Sequence, residues 1–135
     1  MTPLLVTAGI IEKDKMVLLS RRKPGSKFSA GQWEFPGGKV EHLETPQQSI
    51  IREIKEELDL QIRVEELVHV NSHIYRNEKD QLHVVLITYL CKIIDGKEFP
   101  KEGQTIKWVH RSHLSKLEWC EADIEICQTY LQSHK

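Results

Sequence analysis

The sequence predicts an α+β or α/β sandwich, on three observations. β-prone apolar runs punctuated by turn residues fill most of the chain, two segments carry apolar residues at helical spacing, and no repeat, low-complexity tract or Pro/Gly/Ser linker divides the 135 residues. One domain over residues 1–135 is therefore expected. Leu4 to Ile11 is β-branched and apolar, and the polar stretch Glu12-Lys13-Asp14-Lys15 turns it into Met16 to Ser20, a hairpin. Arg21 to Gly31 is basic and aperiodic, a loop. A short strand around Trp33 to Phe35 runs into Pro36-Gly37-Gly38, which is expected to break regular structure. Thr45, Pro46 and Gln48 form a helix start with a capping box and proline at the first position. Ile50, Ile51, Ile54 and Leu58 are the apolar stripe of that helix. Gln61 to Tyr75 and Leu82 to Ile94 read as long strands joined by the turn Arg76 to Asp80. The consecutive apolar residues Val84 to Ile87 imply cover on both faces. A strand near Ile106 to His110 and an amphipathic helix over about Ala122 to Leu131 complete the chain.

Composition narrows the function. Hydrophobic residues are 39% and charged residues 29%, too apolar for a disordered chain and too polar for a membrane protein. Nineteen Lys and Arg against 20 Asp and Glu leave a net charge of -1, which argues against a nucleic-acid polymer held by bulk charge. A phosphate-bearing partner must then be met by a few placed cations or by metal ions. Cys91, Cys120 and Cys127 are an odd count without CxxC spacing, so thiols in a reducing cytosol are expected rather than disulfides or a zinc knuckle. The apolar N-terminus lacks a basic region before it and a cleavage site after it. A soluble cytoplasmic protein with no membrane partner is the expectation, as a monomer or weak homodimer.

The first helix carries the chemistry. Glu53, Glu56 and Glu57 stand at i, i+3 and i+4, so three carboxylates share one side of the helix. A solvated acidic face accounts for such spacing when it stands alone. Here Gly37-Gly38 lies upstream, where missing side chains let a backbone carbonyl approach a ligand closely. Glu44 follows, and Arg52 directly precedes Glu53, placed to pair with Glu56 or to hold a neighbouring carboxylate in one orientation. A bare carbonyl with several carboxylates is an oxygen-only site for a hard cation, Mg²⁺ or Mn²⁺.

These residues have a recognisable order. Gly38 to Leu60, GKVEHLETPQQSIIREIKEELDL, resembles the Nudix box G-x5-E-x7-R-E-U-x-E-E-x-G-U, where U is aliphatic. Gly38, Glu44, Arg52, Glu53, Ile54, Glu56, Glu57 and Leu60 match. Asp59 replaces the family glycine just past the helix, where a left-handed residue is wanted and Asp is tolerated. Leu43 stands where many members have glycine. Glu34-Phe35-Pro36-Gly37-Gly38-Lys39, the segment Lys101 to Gln104 and Ala122-Asp123-Ile124 extend the likeness to the MutT branch over nearly the whole chain.

The resemblance implies the Nudix fold, an α/β/α sandwich around a mixed sheet. It implies a Mg²⁺-dependent pyrophosphohydrolase cleaving a (d)NTP to the monophosphate and diphosphate. Oxidised purines such as 8-oxo-dGTP are the first expectation, which would make the enzyme a mutation-avoidance one. (d)CTP or a modified cytosine nucleotide is the alternative. A catalytically silent nucleotide-binding module is the rival of another class, though such a module is expected to lose box carboxylates and all are present. By the same resemblance the Gly37 carbonyl, Glu53, Glu56, Glu57 and Glu102 hold the cation. Glu53 is the favoured general base and Glu102 its competitor, Arg52 orients Glu53, and Lys39 neutralises phosphate or box carboxylates. Arg22, Glu34, Phe35, Pro36, Gly37 and Asp123 recognise the nucleotide. Several alternatives stay open. Asp123 is a base reader or the N-cap of the last helix, Arg22 touches substrate or belongs to a solvated basic tip, and Trp33, Phe35 and Trp119 stack a base or fill the core. His69, His73 and His83 are strand-surface or pocket-lining residues.

Overall fold

A computed structural model describes residues 2–134. The first hairpin shows why the fold has layers. In β1 (Leu4–Lys13) the neighbours Ile10 and Ile11 point to opposite faces, yet both are fully buried. Leu18 and Leu19 do the same in β2 (Met16–Arg21). A sheet buried on both faces must lie between two other layers. Ile10 and Leu19 pack with Ile126 and Tyr130 of α2 (Glu121–Ser133), and Ile11 and Leu18 pack with Ile50, Ile54 and Leu58 of α1 (Pro46–Leu58). The result is the expected α/β/α sandwich.

The sheet order is β3-β2-β1-β6-β5, with β3 (Trp33–Glu34), β5 (Gln61–Arg76) and β6 (Gln81–Asp95); β4 (Gly37–Lys39) pairs with β1, and β7 (Thr105–His110) with β2. β1 and β6 run parallel while the other pairs are antiparallel, so the sheet is mixed. The hairpin turn narrows to Asp14 and Lys15, both left-handed with φ of 52° and 64°, the two-residue geometry that matches strand twist.

Local signals worked well at α1. Thr45 accepts from the Gln48 N–H while the Gln48 side chain accepts from the Thr45 N–H, and Asp59 closes the helix at φ 59° and ψ 32°, a left-handed cap. Ile51, however, remains exposed, and Ser49 takes the inward place, its hydroxyl 3.1 Å from Thr7 Oγ1. The expected break at Pro36-Gly37-Gly38 is corrected. Gly37 and Gly38 pair with Ala8 and Thr7, because without side chains the two backbones can close: a Cβ on Gly37 would lie 2.0 Å from the Thr7 carbonyl oxygen. Cover of Val84 to Ile87 is incomplete, since Val84 and Leu86 are buried but Val85 and Ile87 only half so. Ile124, near the start of α2, is exposed, and a 3-10 helix at Arg111–Lys116 had no expected counterpart. All three cysteines are free and buried, and no helix among the described residues is long and apolar enough to cross a membrane.

Candidate active site

β4 and α1 meet at Gly38. A Cβ there would lie 2.3 Å from the Glu53 carboxyl, so only glycine lets the helix carry that carboxylate so close to the strand. Arg52 fixes the geometry. Its Nε and Nη2 donate to the two Glu44 oxygens at 2.7 and 2.9 Å, a bidentate fork. Its Nη1 donates to Glu53 Oε1 at 2.9 Å and Glu56 Oε2 at 3.1 Å, and Nη2 also donates to the Lys39 carbonyl at 3.0 Å. One guanidinium thus ties loop, strand and helix together. It holds the Glu44 carboxyl down at about 2, with help from the Glu41 N–H.

Glu57 lies one turn further along α1 and behaves oppositely. Burial, then the neighbouring Glu53, Glu102 and Glu34 carboxylates, push it up to about 9. Three carboxylates therefore bear on the half-buried Glu57. Glu56 is not among them, being largely exposed and turned onto Arg52. As the side chains stand, no three His, Cys, Asp or Glu among the described residues close on one point.

Two cavities adjoin this cluster. A polar cleft of about 240 Å³ is lined by Ser20, Arg21, Arg22, Lys23, Ser26, Glu34, Glu57, Glu102 and Gln104. A second cavity of about 190 Å³ is mainly apolar, walled by residues that include Leu4, Val6, Phe28, Tyr75, Leu82, Val84 and Leu86, with Arg22, Ser29, Glu34, Cys120 and Asp123 as its polar groups. Arg22 and Glu34, 3.6 Å apart, belong to both. A charged groove thus runs into an apolar pocket carrying a few convergent polar groups, which suits a ligand with a flat apolar end and an anionic tail.

The NUDIX domain model matches residues 3–129. The chain belongs to the NUDIX family. It is 32% identical over 126 residues to the CTP pyrophosphohydrolase of Escherichia coli K12, covering 93% of this chain and 90% of that protein. With the 8-oxo-dGTP diphosphatase of the same strain it shares 30% over 109 residues, 81% of each chain. The solution structure of the DNA mismatch repair protein MutT, family Nudix hydrolase, from methicillin-resistant Staphylococcus aureus 252 superposes with a TM-score of 0.74, 36% identity and 98% coverage of both chains. The protein is a NUDIX hydrolase, of a family that generally uses divalent metal, and its fold is the one the sequence implied.

Within this NUDIX domain the predicted residues separate by position. Glu57 and Glu102 line the cleft with Glu53 beside Glu57, and Arg22 and Glu34 line both cavities. Asp123 lies at the pocket wall, and the N-cap alternative is overturned. The cap position of α2 is Cys120, which makes no side-chain cap, while Asp123 Oδ2 accepts from the Phe35 N–H at 2.9 Å. Burial first, then Glu34, raise the Asp123 carboxyl well above its ordinary value, and burial raises Glu34 as well against the pull of Arg22. The Phe35 ring stacks on Trp119 at 4.9 Å in the core, so only its backbone N–H reaches the site. Pro36 is buried with its carbonyl accepting from the Gly9 N–H, and the Lys39 side chain is exposed. Phe28, Tyr75 and Cys120 line the pocket without having been foreseen. Alternation along β5 was a usable signal for Tyr75; none marked Phe28.

Proposed function

We propose that the protein hydrolyses nucleoside triphosphates to the monophosphate and diphosphate, with 8-oxo-dGTP as its preferred substrate. The observation that carries this reading is that Glu57 and its acidic neighbours share a cleft with Arg21, Arg22 and Lys23, and that this cleft adjoins the Asp123 pocket. In this reading the base enters the pocket and the phosphates lie along the cleft beside Arg22 and Lys23. The donors fit a hard divalent cation: they are all oxygen, and crowding keeps Glu57 protonated unless positive charge replaces the proton. The Gly37 carbonyl, Glu53, Glu56, Glu57 and Glu102 would hold Mg²⁺, or Mn²⁺, with Glu56 turning away from Arg52. When bound, such a cation neutralises phosphate charge and activates water for in-line attack.

Glu53 is the general base. Arg52 fixes its Oε1, leaving Oε2 to take the proton as water oxygen bonds to phosphorus and the bridging P–O bond breaks toward diphosphate. Glu102 sits on an exposed loop where no guanidinium clamp is seen, so it is the weaker claimant. Lys39 balances charge at the rim. Burial raises the Asp123 carboxyl well above its ordinary value, and in its protonated form it offers one donor and one acceptor. That pair complements the N7–H and O6 edge of 8-oxoguanine, whereas unoxidised guanine presents two acceptors there. The same pair complements N3 and the amino group of cytosine, which supports a (d)CTP-type substrate as the second reading. Comparing kcat/KM for 8-oxo-dGTP, dGTP, dCTP and 5-methyl-dCTP by diphosphate release decides between them. Buffer-level rates with all four in the presence of Mg²⁺ would overturn both.

A further inference from the structure

The wall that carries Asp123 is held from outside the site. From His69 to Tyr75 the alternate residues of β5 that face α2 are all polar, where apolar side chains are the usual packing between sheet and helix. His69 pairs with Glu125, and His73 Nε2 lies 2.8 Å from Glu121 Oε2. The two remaining members grip a single residue. Tyr75 Oη accepts from the Ala122 N–H at 3.1 Å, and Asn71 Nδ2 donates to the Ala122 carbonyl at 3.0 Å.

The first contact does the work of a helix cap. Cys120 gives α2 no side-chain acceptor, so this first-turn amide is satisfied across the fold by a tyrosine hydroxyl. The second contact holds the peptide plane that leads directly into Asp123. Asn71 keeps its Oδ1 buried without a partner in order to make it, a standing cost that an apolar residue would avoid. Asn71 does not line the pocket, so its influence on a nucleotide must pass through Ala122.

We infer that Asn71 is a positioning residue that, with Tyr75, aims Asp123 at the base by locking the backbone of Ala122. The inference rests on the proposed role of Asp123 as base reader. With Asn71 in place, Asp123 is held against the Phe35 N–H and presents one orientation to the pocket. Without it, the first turn of α2 shifts and the donor–acceptor pair loses its alignment, while the carboxylates of α1 on the other face of the sheet are untouched.

Asn71→Leu removes both the donor and the orphaned oxygen, and Asn71→Asp replaces the donor by an acceptor at nearly constant shape. Both are expected to raise KM for the preferred nucleotide about tenfold with kcat within about twofold, the signature of lost binding rather than lost chemistry. The kcat/KM ratio between 8-oxo-dGTP and dCTP should shift about fivefold, and exchange of the Phe35 amide should quicken about tenfold as its acceptor moves. Val70→Ala, on the exposed face of the same strand, should change none of these. If the base ratio and Phe35 exchange stay at wild-type values while the melting temperature falls, Asn71 serves the fold alone and the inference is overturned. Should the Asn71 variants not fold, Tyr75→Phe replaces them, with quickened Ala122 and Phe35 exchange expected and unchanged exchange overturning. Exchange is read without substrate, so a wild-type chain inactive on every nucleotide would refute the proposed function and leave this test standing.

Discussion

Gly37 and Gly38 are adjacent and chemically identical, yet alanine should affect them in different ways. At Gly38 the added Cβ meets Glu53 Cδ and Oε2 at 2.3 Å and Oε1 at 2.7 Å, all at the far end of a side chain. Ordinary carbon–oxygen contact requires the carboxyl to retreat by about 1 Å, and a misplacement of that size costs about a hundredfold in rate. The backbone has no objection, since Gly38 is not among the positive-φ glycines. Gly38→Ala should therefore fold within about 1 kcal/mol of wild type and lose about a hundredfold in kcat. At Gly37 the Cβ meets the Thr7 carbonyl oxygen at 2.0 Å and the Ala8 Cα at 2.8 Å, both backbone. The β1–β4 ladder cannot yield without breaking, so Gly37→Ala should cost about 3 kcal/mol or more in stability. Diphosphate release at saturating nucleotide and Mg²⁺, beside thermal melts, reads both variants. A folded Gly38→Ala enzyme with wild-type kcat would refute the placement of Glu53 at the reacting centre, and a fully stable Gly37→Ala would refute the register of β4.

Three other outcomes are expected. Glu57 stands at about 9 rather than 4.5 in the cation-free chain, so between these values the folded protein keeps a proton that the unfolded chain has lost. Stability without cation should fall as pH rises through that window and Mg²⁺ should flatten the slope, checked by melts at about pH 6 and about pH 9 with chelator or Mg²⁺; identical slopes would contradict it. Arg52→Lys keeps the charge but cannot fork onto Glu44 while also reaching Glu53 and the Lys39 carbonyl, so activity should drop about 10- to 100-fold in steady-state assays. Leu43 is 91% exposed at φ 63°, so Leu43→Gly gives up little contact and relieves a left-handed strain. It should gain about 0.5–1 kcal/mol in denaturant titration with activity unchanged.

What the sequence disclosed was what short-range rules control. The capping box at Thr45, the stripe of Ile50, Ile54 and Leu58, and the spacing of Arg52, Glu53, Glu56 and Glu57 are all contained within one helix and its start. The longer β strands were likewise visible as apolar runs. What stayed hidden depends on distant approach. Glycines read as a break because their missing side chains signal flexibility in isolation; only the presence of Thr7 and Glu53 across the gap turns them into a strand. The contact of Asp123 with the Phe35 amide joins residues 88 apart, and no local pattern separates it from a helix cap. Glu56 matched the helical spacing but lies outside the cluster, because Arg52 draws it toward the rim.

On the proposed function, recognition and chemistry lie on opposite faces of the sheet. The pocket that holds Asp123 is built on the α2 side, and the Glu53 and Glu57 carboxylates project from α1. The segment Glu34 to Gly38 joins them. Glu34 lines both cavities, the Phe35 amide holds Asp123, the Pro36 carbonyl is fixed by Gly9, and Gly37 and Gly38 let β4 pass beneath Glu53. Apart from Glu34, whose carboxylate faces both cavities, these contacts use either backbone or the absence of a side chain, so substitution in this segment disturbs pocket and cleft together. Substitution along α2, or at the β5 residues that grip it, reaches only the pocket. On the proposed function, a domain wired in this way changes its preferred base by altering the last helix and its supports while the carboxylates of α1 stay as they are.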